Sequence, residues 1–409
     1  MKLSDKFPVY REYDPLVEVR CVTPNTGRTI HRFFGTSPIS PSGRYLAAFR
    51  LPFEDRDPQP GDGGQVILID LETGEERVVS ETAGWEPQVG ANVQWGADDT
   101  QLFFNDVDTG TWEAFGVCMN PFSGRKRLLE GCVFEVSHSG RFVASPSAVR
   151  SRFSQKGYGV VIPDHLVPRY SEPSDSDGIY ITDVETGECR LLLTAKDIVE
   201  RFACFQQLRG GEFFFFQCKW NKDDSRLMMC FRWLSGEKRL QCVVTCDADG
   251  KDIRIPISYE EWGKGGHHMN WHPDGEHITM NLNIFRNGLR FTSTRYDGAE
   301  YRALLDDVAG SGHPSMHVSE RLIVTDSYNS EYGAHPDGSV PIRLVTLPEG
   351  KEYELVRILT RTPYDRALRV DPHPAWDQSY RYIVFNGYHG NTRRVYIADV
   401  GKLVDALLS

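Results

Sequence analysis

The stretch Trp271–Leu282, WHPDGEHITMNL, decides the fold. Pro273-Asp274-Gly275 closes a tight turn, and His277–Leu282 then alternates as a half-buried strand does. The same element, a polar turn running into a β-rich strand, recurs along the chain. It reads SPSGRYLAAFR from Ser40, WGADDTQLFFND from Trp95, SHSGRFVAS from Ser137 and WNKDDSRLMMCF from Trp220. After Trp271 it returns as HVSERLIVTDS from His317 and WDQSYRYIVFN from Trp376, which makes seven copies.

Each copy is followed by a strand, a tight turn and another strand. Examples are VILIDLETGEERVV from Val66, GIYITDVETGECRLLL from Gly178 and LQCVVTCDADGKDIRIP from Leu240. Turn tetrads such as ETGE and DADG supply the Gly and Asp that hairpins require. Seven units of roughly 50 to 60 residues, each about four strands, predict an all-β chain folded as a seven-bladed β-propeller. The expectation is one domain spanning residues 1–409, because a closed ring escapes the size limit of a single core and hides its sheet edges. A strand near Val17–Cys21 is expected to complete the last blade. The irregular stretch from Arg150 to Asp177 reads as a long loop over one mouth of the ring.

Composition narrows the function. Charged residues make up 25% and hydrophobic residues 40%, as in ordinary globular proteins. A formal net charge of -11 argues against nucleic acid or an anionic membrane as the main partner. The N-terminal MKLSDKFPVYREYDP has no apolar core of a secretory signal, and no apolar run is long enough for a membrane span. The nine cysteines mostly sit in apolar strand-like runs without zinc-type spacing, as expected of reduced thiols in a cytoplasmic protein. Nucleotide-binding and serine-hydrolase signatures are absent.

In a propeller the innermost strands line the channel, so residues just before the repeated turn hold equivalent places blade after blade. His268 stands three residues before Trp271, and His373 three before Trp376. His313 lies in GSGHPSMHVSERLIVTD, and His31 opens HRFFGTSPISPSG. Four blades thus carry an imidazole toward one funnel. His313, Asp371 and His373 read as a mononuclear metal site of two imidazoles and one carboxylate. Such ligation suits manganese, iron or zinc, and the carboxylate also admits calcium. Neutral His268 is the candidate general base. His272 and His277 read as solvated turn residues.

Beyond these residues, the sequence resembles the oligogalacturonate lyase family, seven-bladed propellers of the cytoplasm that degrade pectin fragments. The likeness runs almost end to end. His268-Met-Asn-Trp271-His-Pro-Asp274-Gly275 matches the family's HxxWxxDG context, which carries its catalytic histidine. His313 and Asp326 match a histidine 13 residues before an aspartate, and His31-Arg32 matches an HR pair in the first blade. The family's metal segment, QxxHPHP, reads LRVDPHP here, with Leu368 for glutamine, Asp371 for the first histidine and His373 retained. The family's catalytic arginine falls on Cys242, which leaves Arg232 and Arg239 as candidates to deliver a guanidinium.

The resemblance implies a carbohydrate lyase acting on an acidic, uronate-containing oligosaccharide by β-elimination. His268 would be the base, Arg232 or Arg239 the carboxylate clamp, and a divalent ion, manganese or calcium, the bound metal. His31, Arg32, Trp271 and Trp376 would help hold the sugar, in a monomer or homodimer. One alternative is a glycoside hydrolase, or a lyase of rhamnosyl-glucuronate ends, on the same scaffold. A hydrolase calls for a pair of carboxylates, for which loop residues such as Asp164 and Glu172 are available. The other is a TolB- or WD-like interaction platform without catalysis.

Overall fold

The computed structural model describes residues 3–362 and 367–409. The chain folds into a seven-bladed β-propeller of seven antiparallel, four-stranded sheets. In chain order the innermost strands of the blades are Thr29–Ile30, Gln94–Trp95, Glu135–Val136, Glu212–Trp220, Gly266–Trp271, Ser315–Met316 and Ala375–Trp376. Most are very short, because the channel narrows and little ladder length is available there. The second and third strands of each blade are longer, and their apolar faces pack blade against blade. One such layer joins Leu344, Val356, Phe385, Tyr396 and Val19.

The ring closes through the N-terminus. Glu18–Cys21 pairs antiparallel with Thr392–Asp399, in the register Glu18↔Asp399 to Cys21↔Tyr396. The seam is sealed from inside by Asn386, which accepts from the His31 N–H at 2.9 Å and donates to the His31 carbonyl at 3.2 Å. All nine cysteines are free thiols, so no disulfide holds the ring.

The recurrent tryptophans fasten neighbouring blades. The indole N–H of Trp95 donates to the Pro38 carbonyl at 2.9 Å, that of Trp271 to Lys219 at 2.9 Å, and that of Trp376 to Ser315 at 3.2 Å. Each bond reaches the preceding blade while the ring itself is buried. Trp376→Phe is therefore expected to cost about 1 kcal/mol through the lost hydrogen bond. Trp376→Ala is expected to cost about 3–5 kcal/mol through the cavity left. Denaturant unfolding of both variants checks this; equal midpoints for wild type and Trp376→Phe would remove the bond from the account.

The segment between Pro146 and Gly178 carries a short helix, Ser151–Ser154, and lies over one mouth of the channel. Glu86, fully buried, tethers it by accepting the Gly159 N–H, while its other oxygen accepts Asn92 Nδ2 at 2.5 Å. Burial raises the Glu86 carboxyl from 4.5 to about 7. The unfolded chain thus loses this proton at lower pH than the folded one, and the folded state loses stability as pH rises through that window. Thermal unfolding at about pH 5 and about pH 8 should show a smaller loss for Glu86→Gln than for wild type. Equal losses would exclude this carboxyl as the source.

Candidate functional site

The innermost strand of the fifth blade, Gly266–Trp271, holds a β-bulge between His267 and Asn270, where pairing with His277–Leu282 shifts. His268 sits on that bulge with φ +61°, a left-handed backbone of the kind that collects at functional sites. The bulge turns two consecutive imidazoles into the channel. His267 Nε2 lies 2.6 Å from Glu331 Oε1, and the His268 ring is 3.8 Å from that of His313, centroid to centroid. His373, also left-handed at φ +51°, brings its ring to 4.4 Å from His313.

Hydrogen bonds behind the three rings fix their tautomers. His268 Nδ1 is 2.7 Å from the Gly312 carbonyl, and His373 Nδ1 is 2.8 Å from the Arg32 carbonyl. A carbonyl can only accept, so both Nδ1 atoms carry the proton. His313 Nδ1 lies 2.9 and 3.0 Å from the two oxygens of buried Asp326 and donates to that carboxylate. With Nδ1 turned back in this way, the neutral form of each ring has its lone pair forward on Nε2. Gly312 is indispensable at the join: at φ +48°, any Cβ would collide with the Asp326 carboxylate.

His313, Asp371 and His373 are buried, and each offers a ligand atom within 4.8 Å of the others. His373 Nε2 has no hydrogen-bond partner. Two facing lone pairs beside a carboxylate are unfavourable in a dry interior, and a divalent cation would satisfy them. The imidazoles also have the carboxylate or carbonyl acceptor behind Nδ1 that metal-ligating histidines use. The residues present fit a metal. Burial holds His268 and His373 well below the ordinary histidine range, with neighbouring His313 acting in the same direction, so both rings are neutral at pH 7.

Two residues not singled out in the sequence complete the site. Tyr328, two residues beyond Asp326, places its hydroxyl 3.2 Å from His268 Nε2 and 3.5 Å from His313 Nε2. Arg369, two residues before Asp371, sets Nη2 at 3.1 Å from Asp371 Oδ2. Burial pulls the Arg369 guanidinium down, but Asp371, Tyr158 and Tyr328 outweigh it and hold it charged. Each lies two places from a residue already marked, but on an irregular segment that no repeat specifies.

His268, Tyr328 and Arg369 line a cavity of about 290 Å³ together with Arg232, Arg239 and Gln155. His313 and His373, both 0% exposed, lie behind this surface, and Asp371 reaches an adjoining cavity. The structure thus gathers His268, His313, Asp371 and His373 in one place, with Arg232 and Arg239 on the wall of the same cavity. The remaining candidates lie elsewhere. Trp271 and Trp376 line a different cavity, at the tryptophan turns. Arg32 is 2% exposed and points inward to Thr36 at 2.6 Å and Asn92 at 3.3 Å. His31 is fully buried with both ring nitrogens unbonded, and burial takes it down to about 3. Asp164 and Glu172 are exposed, and neither lines the cavity. Phe33 and Phe34 plug the channel between the two cavities, with ring centroids 4.9 Å from His373 and 5.8 Å from His268.

No family model matches the chain, and no curated protein matches it in sequence. Solved structures do share its fold. An oligogalacturonate lyase from Vibrio parahaemolyticus superposes with a TM-score of 0.67 at 14% identity, covering 96% of each chain. An oligogalacturonate lyase in complex with manganese gives 0.67 at 15% identity, covering 98% of each chain. A puromycin hydrolase gives 0.51 at 10% identity, over 93% of this chain and 53% of that one. At these identities the likeness is one of fold.

A metal titration checks the ligand assignment. Calorimetry with manganese should show one site in wild type and none in His373→Ala. Asp326→Asn, which weakens the acceptor behind His313, should lower affinity about 10–100-fold. Unchanged binding in His373→Ala would refute the assignment.

Proposed function

We propose that this protein is a carbohydrate lyase that cleaves a uronate-containing oligosaccharide by β-elimination. The observation that carries this reading is the bare, neutral Nε2 of His268 on the wall of a cavity whose charged groups are guanidiniums. In a 4-linked uronate the proton at C5 is α to a carboxylate and very weakly acidic. Its removal needs the carboxylate neutralised and a base held close.

His268 Nε2 takes the C5 proton, and the carbonyl behind Nδ1 keeps the lone pair forward. The C5–H electrons form the C4=C5 double bond as the C4–O4 bond breaks. Tyr328, hydrogen-bonded to His268, is placed to give the departing oxygen its proton. Its hydroxyl is held well above the usual phenol range by burial, so the proton is retained until an alkoxide forms. Arg232, Arg239 and Arg369 supply the positive wall for the substrate's carboxylates. His313, Asp371 and His373 would hold a divalent cation, which when bound would supply positive charge to the site. The fold shared with two oligogalacturonate lyases, one of them carrying manganese, supports the same class of chemistry.

A hydrolase would use two carboxylates flanking the bond. Among the described residues, the wall around His268 includes no aspartate or glutamate, which favours elimination. Incubation with uronate oligosaccharides should produce an absorbing, conjugated double bond near the ultraviolet edge. His268→Ala should lower its rate by about 10²–10⁴, and Tyr328→Phe should lower kcat with little change in KM. New reducing ends without that absorbance would replace the lyase with a hydrolase.

A further inference from the structure

Arg232 and Arg239 are cations without a counter-ion. Arg232 sits on the second strand of the fourth blade, Arg226–Ser235, and Arg239 on the third, Lys238–Asp247. Their cross-strand partners, Gln241 and Leu234, lie two registers apart, so both side chains leave the same face of the sheet. Arg232 is 5% exposed, with its guanidinium 3.9 Å from the Phe216 ring centroid, while Arg239 reaches solvent; neither has a carboxylate within ion-pairing distance among the described residues. Their hydrogen-bond acceptors are neutral. Arg232 Nη1 donates to the Ser154 carbonyl at 3.1 Å, and Arg239 Nε to Gln241 Oε1 at 3.1 Å. The one acceptor they share is Gln155 Oε1, 3.3 Å from Arg232 Nη1 and 3.0 Å from Arg239 Nη2.

Buried charges are ordinarily paired, because an unpaired one costs on the order of several kcal/mol in lost hydration. Arg232, buried beside a second cation and bonded only to neutral acceptors, is poorly compensated. A carboxylate carries a full charge and two acceptor oxygens, and its bonds to guanidinium are about twice as strong as neutral ones. Gln155 belongs to the segment over the channel mouth, directly after the helix Ser151–Ser154. With Tyr328 and Arg369 it lines both the 290 Å³ cavity and an adjoining one of about 540 Å³. Withdrawing its side chain would open one toward the other beside the two groups assigned to chemistry.

We propose that Gln155 is a placeholder for a substrate carboxylate: it fills the Arg232–Arg239 anion subsite in the free protein and is displaced when an acidic sugar binds. The proposal rests on reading this cavity as a uronate site, and it assigns the ligand at that subsite as a carboxylate-bearing sugar unit. It also makes the segment over the mouth a competitor for the site that substrate binding moves aside.

The test is binding without turnover, in a His268→Ala background, by calorimetry with galacturonate and glucuronate against galactose and glucose. At least one uronate should bind ten times or more tighter than its neutral counterpart. Removing the competitor in Gln155→Ala should tighten that uronate about fivefold or more, as expected for loss of its two competing hydrogen bonds. Gln155→Glu, which supplies the carboxylate from the chain, should weaken it tenfold or more at pH 7. Equal affinity for acid and neutral sugars, no binding of either uronate, or affinity unmoved by Gln155→Glu would each overturn the proposal. The lyase reading fails separately: if the Gln155 series behaves as stated while wild type yields no double bond from any uronate oligomer, the subsite stands and the reaction does not.

Discussion

Each of His268, His313 and His373 spends its Nδ1 proton on an acceptor behind it, and the rest of the site follows from that constraint. The acceptors come from three places: the backbone before the sixth blade, a carboxylate within it, and the first blade beyond the seam. Imidazoles held this way cannot rotate to hide their lone pairs. The interior must offer a proton donor or a cation, and Tyr328, Arg369 and the His313–Asp371–His373 pocket are the three answers the chain provides. Two left-handed backbone positions, at His268 and His373, are the local strain that sets these rings in place.

The propeller explains why such a cluster can be built at all. Innermost strands from successive blades deliver side chains to one axis from residues hundreds of positions apart, and the outer strands carry the stability. Phe33 and Phe34 close the channel beneath the cluster, and Glu86 pins the covering segment above it. His373 is therefore dry, and that dryness keeps it neutral and makes an added positive charge worth more than it would be in water.

Much of the fold was legible from sequence, because its signal is repetition. The turn-and-strand element at Trp271 is strong locally and recurs at even spacing, and hairpin turns such as ETGE fix the outer strands. The histidines could be named because a shared offset from a repeated tryptophan is itself a spatial statement. The arginines and Tyr328 were harder. Arg369 and Gln155 reach the site from irregular segments whose path no periodicity specifies. The tryptophans illustrate the opposite case: an aromatic beside a presumed sugar site suggests stacking, but each indole N–H is committed to the neighbouring blade. Arg32 likewise turns inward, because a buried arginine is drawn to the acceptors of Thr36 and Asn92.

The strand Glu18–Cys21 is synthesised long before its partner Thr392–Asp399, from which most of the propeller separates it along the chain. Until then the seventh blade lacks its outer edge, and His373 lacks a settled position against Arg32. A nascent chain thus carries His268 and His313 but no assembled trio. The His313–Asp371–His373 geometry is therefore set only when the circle closes.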